Sequence, residues 1–218
     1  MSKDTFKFLK ELGQHNDRDW FKANKARYDE IKDIFVHFMA EMIERIAGFD
    51  PSVEGLDAKK CIMRIHRDIR FSKDKTPYNL HIGGHIVGGG RTNEHGRAGY
   101  YVRLEAGKSI LAGGAHLPPS SWMTAIRKEI DENADDLRAI LNDQTFKKYF
   151  GELEGEQLKT APRGYPKDHP EIDLLRYKSL LAVHNCTNKQ VLDAGFADYA
   201  FDVFQAMHPF DAFLNRGI

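Results

Sequence analysis

The residues between Lys59 and Tyr78 concentrate cationic side chains in a chain whose formal net charge is zero. The whole sequence has 32 Lys and Arg residues against 32 Asp and Glu residues. Residues 59–75 alone contain seven Lys or Arg residues and two acids, Asp68 and Asp74, which leaves a local charge of +5. Guanidinium groups match carboxylate and phosphate oxygens with paired donors. We therefore predict that this basic segment, residues 59–78, binds an anionic small molecule.

The candidate site combines the basic segment with polar residues of a neighbouring predicted strand. Alternation places Arg64, His66, Asp68 and Arg70 on one face of a strand. The predicted ligand-binding residues of this part of the chain are Arg64, Arg67, Arg70, Lys73, Lys75, Tyr78, Tyr101 and Arg103. If a reaction takes place, Asp68 or Glu105 is the candidate acid or base. His66 is the candidate proton carrier, because histidine alone has an ordinary pKa near neutrality.

A second basic and aromatic cluster lies in the sequence KTAPRGY. Its candidate ligand-binding residues are Lys159, Arg163 and Tyr165, and prolines on both sides stiffen the segment. Loops that are held in this way often carry function. We expect the cluster to form the second lip of a cleft, although spacing along the chain does not fix its distance from the basic segment.

Two histidines, His81 and His85, are candidate metal ligands. His81 and His85 are four residues apart with two glycines between them, which disfavours a helix. On a strand they share a face but lie about 13 Å apart, too far to bind one ion directly. The sequence therefore predicts no metal site, and no other cofactor is predicted.

The periodicity of apolar residues predicts the elements that position these side chains. Residues 1–50 are expected to be helical, because Tyr28, Ile31, Phe35, Phe38, Met42 and Ile46 recur every three or four positions. Asn16 is a candidate cap of the second helix. Further expectations are antiparallel strands over 58–116, helices over 118–150, a connector with a short helix over 151–177, a strand over 178–186 and helices over 188–216. This order predicts a single α+β domain, a mainly antiparallel sheet flanked by N-terminal and C-terminal helices.

Composition narrows the classes of function. A neutral net charge disfavours a general nucleic-acid binder. No run of about 18 apolar residues exists, so a membrane partner is not predicted. The chain begins without an apolar leader segment and contains only two cysteines, Cys61 and Cys186, which favours the cytoplasm.

Two alternatives to a ligand site remain open for the basic segment. The same surface could contact a protein or a nucleic acid through its cations. It could also be a purely structural charge network, in which Arg67 pairs with a nearby acid such as Asp68 or Asp74. The surplus of five positive charges favours an outside anion over internal pairing alone.

Several strings resemble a conserved hypothetical family catalogued as domain of unknown function 2461. The most specific is RIHRDIRFSKDKTPY at residues 64–78, and others are NDRDWFKANKARY at 16–28, GYYVRLEAGKSILAGG at 99–114 and LKTAPRGYPKDHPEIDLLRYKS at 158–179. The IRKEI helix and the C-terminal apolar stripe extend the resemblance over nearly the whole chain. It implies a compact α+β fold and draws attention to the basic segment, but it implies no substrate, cofactor or catalytic role.

Overall fold

A computed structural model describes residues 1–93 and 95–218. These residues form ten α-helices and one four-stranded sheet, so the predicted α+β class is confirmed. The α-helices are α1 (Lys3–Gln14), α2 (Arg18–Ala23), α3 (Lys25–Ala47), α4 (Ala58–Cys61), α5 (Ser120–Glu132), α6 (Ala134–Asn142), α7 (Gln144–Phe150), α8 (Ile172–Leu175), α9 (Asn188–Val191) and α10 (Phe196–Leu214). The strands are β1 (Ile82–Ile86), β2 (Tyr100–Leu104), β3 (Ser109–Ala115) and β4 (Leu180–Cys186). Two short 3-10 helices cover Pro51–Val53 and Arg91–Asn93.

The sheet is antiparallel throughout, in the order β1-β2-β3-β4. In β2, Tyr100, Val102 and Leu104 are buried, whereas Tyr101 and Arg103 on the other face are half-buried. This alternation gives the sheet one face toward the core and one polar face. The polar face therefore lies toward the solvent, next to the chain that leads into β1.

Helices α3 and α10 cover the core face of the sheet. The apolar stripe predicted in α3 is buried, from Tyr28 at 8% exposure to Ile46 at 0%. Helix α10 packs on β3 at Gly113, where a Cβ atom would lie 2.2 Å from the Sδ atom of Met207. Glycine is required at this position because the helix leaves no room for a side chain.

The prediction that strands begin in the basic segment is wrong. Residues Ala58–Cys61 form α4, and the first strand begins only at Ile82. The intervening chain is extended but makes only isolated bridges, between Ile62 and Gly84 and between His66 and Tyr78. A regular ladder is prevented because Pro77 has no N–H to donate and because side chains in the segment take up backbone N–H groups.

The alternation expected of a strand nevertheless survives in this extended chain. Ile65 is buried, while the side chains of Arg64, His66, Asp68 and Arg70 are exposed. The pattern ends at Phe71, which is 96% exposed although the alternation places it among the apolar positions. The basic segment thus keeps the predicted polar face without being a member of the sheet.

Candidate functional site

The basic segment folds back on itself as a narrow hairpin, in which residues 65–67 run against residues 77–79. The backbone N–H of Asn79 donates to the carbonyl of Ile65 at 2.8 Å, and that of Arg67 donates to the carbonyl of Pro77 at 2.9 Å. The side-chain amide of Asn16 donates to the carbonyl of Tyr78 and accepts from its N–H. These bonds tie the 65–79 hairpin to the junction of α1 and α2.

The ring of Tyr78 fixes the hairpin on α2. It stacks on Phe21 with a centroid distance of 4.1 Å, and its residue is only 5% exposed. Offset stacking of this kind adds about 0.5–1.5 kcal/mol to the burial of the rings. Tyr78, a predicted ligand-binding residue, therefore lies in the core under the hairpin, away from an outside ligand.

Arg67 closes the loop of the hairpin, residues 68–76. Its Nη1 atom donates to Oδ2 of Asp74 at 2.6 Å and to the carbonyl of Thr76 at 3.0 Å, and it also contacts the hydroxyl of Thr76. The N–H and hydroxyl of Thr76 donate to Asp74, and together with Arg67 they lower the pKa of that carboxyl group. The Nζ atom of Lys75 binds the carbonyl of Ile69 at 2.9 Å. The loop is therefore held by its own side chains.

Asp68 and Arg70 form an exposed ion pair on the same loop. The guanidinium of Arg70 donates to both carboxylate oxygens of Asp68, with a shortest distance of 2.7 Å. These hydrogen bonds, with one from the backbone N–H of Arg70, lower the pKa of Asp68 to about 2. Asp68 is therefore a carboxylate at neutral pH, and it cannot serve there as a general acid.

A cleft of about 400 Å³ opens beside the first half of the hairpin. The cleft is lined by Met63, Arg64, His66, Arg67, Asp68, Asn79 and Arg91. Three arginines and a histidine thus line one hollow whose only acidic lining residue among those described is already bound to Arg70. The described lining therefore has more cationic than anionic side chains.

Arg64 and Arg91 differ from the other cationic residues of the cleft. Neither side chain forms a hydrogen bond or an ion pair with a residue in 1–93 or 95–218, and the Nε atom of Arg91 is buried without an acceptor there. Arg91 comes from the loop between β1 and β2, where Gly89 and Gly90 both have φ of +83°. Glycine adopts this conformation without strain, so the chain can turn sharply and bring Arg91 to the cleft.

His66 and Asn79 add further polar groups to the lining of the cleft. The ring of His66 lies 5.0 Å from that of Tyr78 and 6.0 Å from that of Phe21, centroid to centroid. The backbone N–H of Asn79 is used by the hairpin, and the residue also lines the cleft. An imidazole and an amide can each donate or accept a hydrogen bond.

The predicted residues of β2 and its turn do not line this cleft. Arg103 donates to the carbonyl of Lys108 and lies 3.6 Å from Glu105, so these two side chains pair on the polar face of the sheet. Tyr101 packs edge-on against His85 at 6.2 Å on the same face. Burial and the charge of Arg103 lower the pKa of His81 at the start of this face. Of the three candidate acid–base residues, His66 and Asp68 lie together and Glu105 lies apart from them.

The cluster at 159–165 is held against α5. The ring of Tyr165 packs edge-on against His169, which binds Asp131 of α5, and burial raises the pKa of the Tyr165 hydroxyl. Lys159 and Arg163 are exposed and make no hydrogen bond or ion pair with other described residues. None of the three lines the cleft, and the structure shows no contact, among the residues it describes, that joins them to the hairpin. Lys73 is likewise exposed, on the loop of the hairpin.

Met63, Asn79 and Arg91 line the cleft but were not among the predicted site residues. Asn79 directly follows the basic segment, so its place beside the second half of the hairpin is a matter of register. Arg91 lies in a polar, glycine-rich loop that the sequence marks only as a connection. Its one signal is a cation immediately after three successive glycines, and this does not tell which way the loop turns.

Two further findings concern metals and membranes. Within the part of the chain that the structure describes, no three His, Cys, Asp or Glu side chains are grouped as a metal ion would require. None of the described helices combines the length and the apolar character that a membrane span needs.

Comparison with known proteins gives one match. The model of a family described as conserved hypothetical protein (DUF2461) matches residues 4–213. The chain belongs to this family. The match covers the hairpin, the cleft and both layers of the fold, in agreement with the resemblance seen in the sequence. No curated protein and no solved structure matches the chain. Membership of this family does not by itself identify the activity of the protein.

Proposed function

We propose that this protein binds a small molecule with an oxyanion group, a phosphate ester or a carboxylate, in the cleft beside the hairpin. The observation that carries the proposal is that Arg64 and Arg91 line one hollow and that neither side chain forms a hydrogen bond or an ion pair with a described carboxylate. A guanidinium group remains charged at any physiological pH. Two such groups in one hollow repel each other until an anion lies between them.

Other arginines of the same fold show what a satisfied guanidinium looks like. Arg27 binds both oxygens of Asp4, at 2.7 Å each, and also Glu11 at 2.5 Å. Arg138 binds Glu171 and Asp173, each at 2.7 Å. This fold therefore supplies carboxylates where it needs them for structure. No carboxylate in the described part of the chain forms such a bond with Arg64 or Arg91, and this favours a ligand over an internal charge network as their partner.

Each polar residue of the cleft would have its own role in binding the ligand. Arg64 and Arg91 would donate paired N–H groups to the oxyanion. Arg67 adds positive charge while its Nη1 atom holds the loop, so its role is partly structural. Asn79 would donate its amide to a neighbouring oxygen of the ligand, and His66 would exchange a proton with it.

A small molecule is favoured over a long polyanion as the partner. The cleft has a volume of about 400 Å³, within the range of pockets that hold small ligands. The whole chain is electrically neutral, whereas general nucleic-acid binders carry a basic excess. Both cysteines are unpaired, which agrees with a location in the reducing cytoplasm.

Titration calorimetry and thermal denaturation with inorganic phosphate and sulfate test this proposal. We expect one saturable site, and a rise in the free energy of unfolding by about 1.4 kcal/mol at a ligand concentration ten times the Kd. The variants R64Q and R91Q should each weaken binding at least tenfold, because each removes a charged donor pair.

Arg163 supplies a matched control. It is an exposed arginine without an internal partner among the described residues, and it does not line the cleft. R163Q removes the same net charge and should leave phosphate binding unchanged. Equal losses in R163Q and R64Q would mean that only the overall charge attracts the anion, and no binding to the unchanged protein would refute the site.

A further inference from the structure

Phe71 is the most exposed large apolar side chain among the residues that the structure describes. It is 96% exposed, compared with 64% for Leu117 and 54% for Ile218, the next most exposed residues of this kind. It lies on the loop of the hairpin, which Arg67 and Asp74 hold in place. An aromatic ring that a fixed loop presents to solvent provides a flat apolar surface for a partner.

A short series of contacts connects Phe71 with the cleft. Asp68 lines the cleft, and both of its carboxylate oxygens accept hydrogen bonds from the guanidinium of Arg70. The guanidinium carbon of Arg70 lies 6.0 Å from the ring centroid of Phe71. Two residues of chain lie between Asp68 and Phe71, so the Cα atoms of Asp68 and Phe71, three peptide units apart, are at most about 11 Å apart. The exposed ring therefore belongs to a residue that is close along the chain to one that lines the cleft.

We propose that the ligand of the cleft is a phosphate ester with a flat aromatic ring, the chemical class of a nucleoside monophosphate, whose phosphate binds Arg64 and Arg91 and whose ring stacks on Phe71. This inference rests on the proposed function and specifies its substrate class. Phosphate alone would use the guanidinium groups but leave Phe71 in water. A ring with delocalised electrons covers the apolar face and is itself attracted to the neighbouring guanidinium of Arg70.

The exposure of the Phe71 ring also favours an aromatic phosphate ester over other classes of partner. A sugar phosphate has no flat apolar surface to offer to Phe71. A membrane surface would need more than one apolar side chain to bind stably, and no second large apolar residue of the described loop 68–76 is as exposed as Phe71. Stacking on an aromatic side chain is tolerant of the identity of the base, so the inference does not extend to which base is bound.

The test compares adenosine 5′-monophosphate with ribose 5-phosphate, which has the same phosphate ester but lacks the base. Titration calorimetry on the unchanged protein should show tighter binding of the nucleotide by about 5-fold to 150-fold, the range that one stacked base contributes. F71A should remove this difference and leave the affinity for ribose 5-phosphate unchanged. F71W should retain the difference, because tryptophan also offers a ring for stacking.

L117A is the matched control for the loss of an exposed apolar side chain. Leu117 lies beyond the end of β3 and does not line the cleft. L117A should leave both affinities unchanged. All of these variants change exposed side chains, so thermal denaturation should show melting temperatures close to that of the unchanged protein.

Each other outcome has a distinct meaning. Equal affinities for the nucleotide and the sugar phosphate, or a difference that persists in F71A, would overturn the inference and leave the oxyanion site standing. If neither compound binds, or if R64Q binds both as well as the unchanged protein does, the proposed function fails and the inference fails with it. Much tighter binding of a single-stranded oligonucleotide, with a steep dependence on salt, would replace the small ligand by a nucleic acid and would also overturn the inference.

Discussion

Arginine side chains occur both at the contact between α1 and α3 and in the cleft beside the hairpin. The two regions differ in the partners that these arginines have. In the first region Arg27 has carboxylates on two sides, from Asp4 and Glu11, and hydrogen bonds with them raise its pKa and lower that of Asp4. In the second region Arg64 and Arg91 form no hydrogen bond or ion pair with a carboxylate among the described residues. This contrast supports the proposal that Arg64 and Arg91 bind a ligand and do not serve mainly to hold the fold together.

A buried acid, Asp211, is a third example of an ionisable side chain and its surroundings. Asp211 of α10 is only 3% exposed, and its carboxyl group lies against the backbone of Gly113 with no cation paired to it among the described residues. Burial raises its pKa well above the ordinary value, and the negative charge of Asp50 raises it further. Burial thus makes this unpartnered acid harder to ionise, whereas an unpartnered guanidinium in an open cleft keeps its charge.

The largest effect on stability should come from removing the satisfied arginine. R27Q should lower the free energy of unfolding by about 2 kcal/mol, because it breaks three charge-assisted hydrogen bonds that join α1 to α3 and leaves two acids without a cation. Partial exposure of these groups limits the loss. Urea denaturation measures it, and phosphate binding should not change. A loss of binding in R27Q would remove the distinction between the two regions.

The buried acid should make the stability of the protein depend on pH. The unfolded chain releases the proton of Asp211 near the ordinary pKa of 3.8, but the native protein releases it only at higher pH. Stability is therefore lost as the pH rises from about 4 toward the native pKa. D211N stays uncharged, so its melting temperature should exceed that of the unchanged protein by a margin that grows over this range.

Other ionisable groups near Asp211 also contribute to the dependence of stability on pH. The hydroxyl of Tyr100 donates to Asp50 at 3.0 Å and lies 2.8 Å from Nδ1 of His208, whose pKa burial lowers, and Arg97 is the nearby cation that acts on Tyr100. The variant H208Q should keep the pH dependence that is due to Asp211. A melting curve of D211N that falls with pH as steeply as that of the unchanged protein would mean that another member of this cluster is responsible.

Arg67 pairs with an acid of the fold and also lines the cleft, so its replacement should have an intermediate effect on stability. R67Q should lower the free energy of unfolding by about 0.5–1 kcal/mol, since it releases Asp74 and Thr76 at the surface. It should also weaken phosphate binding, because Arg67 lines the cleft and holds its adjoining loop. Paired denaturation and calorimetry measurements test this, and a change in only one of the two properties would assign Arg67 to a single role.

The smallest effect on stability is expected for the cleft arginines themselves. Without ligand, R64Q and R91Q should each change the free energy of unfolding by no more than about 0.5 kcal/mol, because no internal pair among the described residues is broken. Added phosphate should then stabilise the unchanged protein more than either variant. A loss above about 1 kcal/mol without ligand would show that the fold itself uses these charges.

Local pattern was sufficient for most of the secondary structure. The stripes of α3 and α10 repeat every three or four residues over long stretches, and burial of one helix face requires that spacing. The alternation in β2 and the short turn before β3 indicated antiparallel pairing, which the sheet has. Such patterns are readable because each element must bury one of its own faces.

The same reasoning failed where contacts between distant segments compete with the local pattern. The chain at 61–71 alternates like a strand, but it forms a hairpin with 77–79 because the side chain of Arg67 binds Asp74 and Thr76. Asn16 was expected to cap α2, but Asp17 caps that helix and Asn16 binds the backbone of Tyr78 instead. Local propensity does not decide between partners that lie far apart in sequence.

Composition and spacing are enough to predict the α+β class, the apolar faces and the surplus of positive charge in residues 59–78. Which of these cations pair with acids of the fold, and which line the cleft, depends on how the chain folds. The tertiary structure pairs Arg67 and Arg70 with nearby acids and brings Arg91 to Arg64 across the β1–β2 loop. The physical reason is that charge is a property of each residue, whereas its neutralisation depends on which groups the folded chain places within a few ångströms.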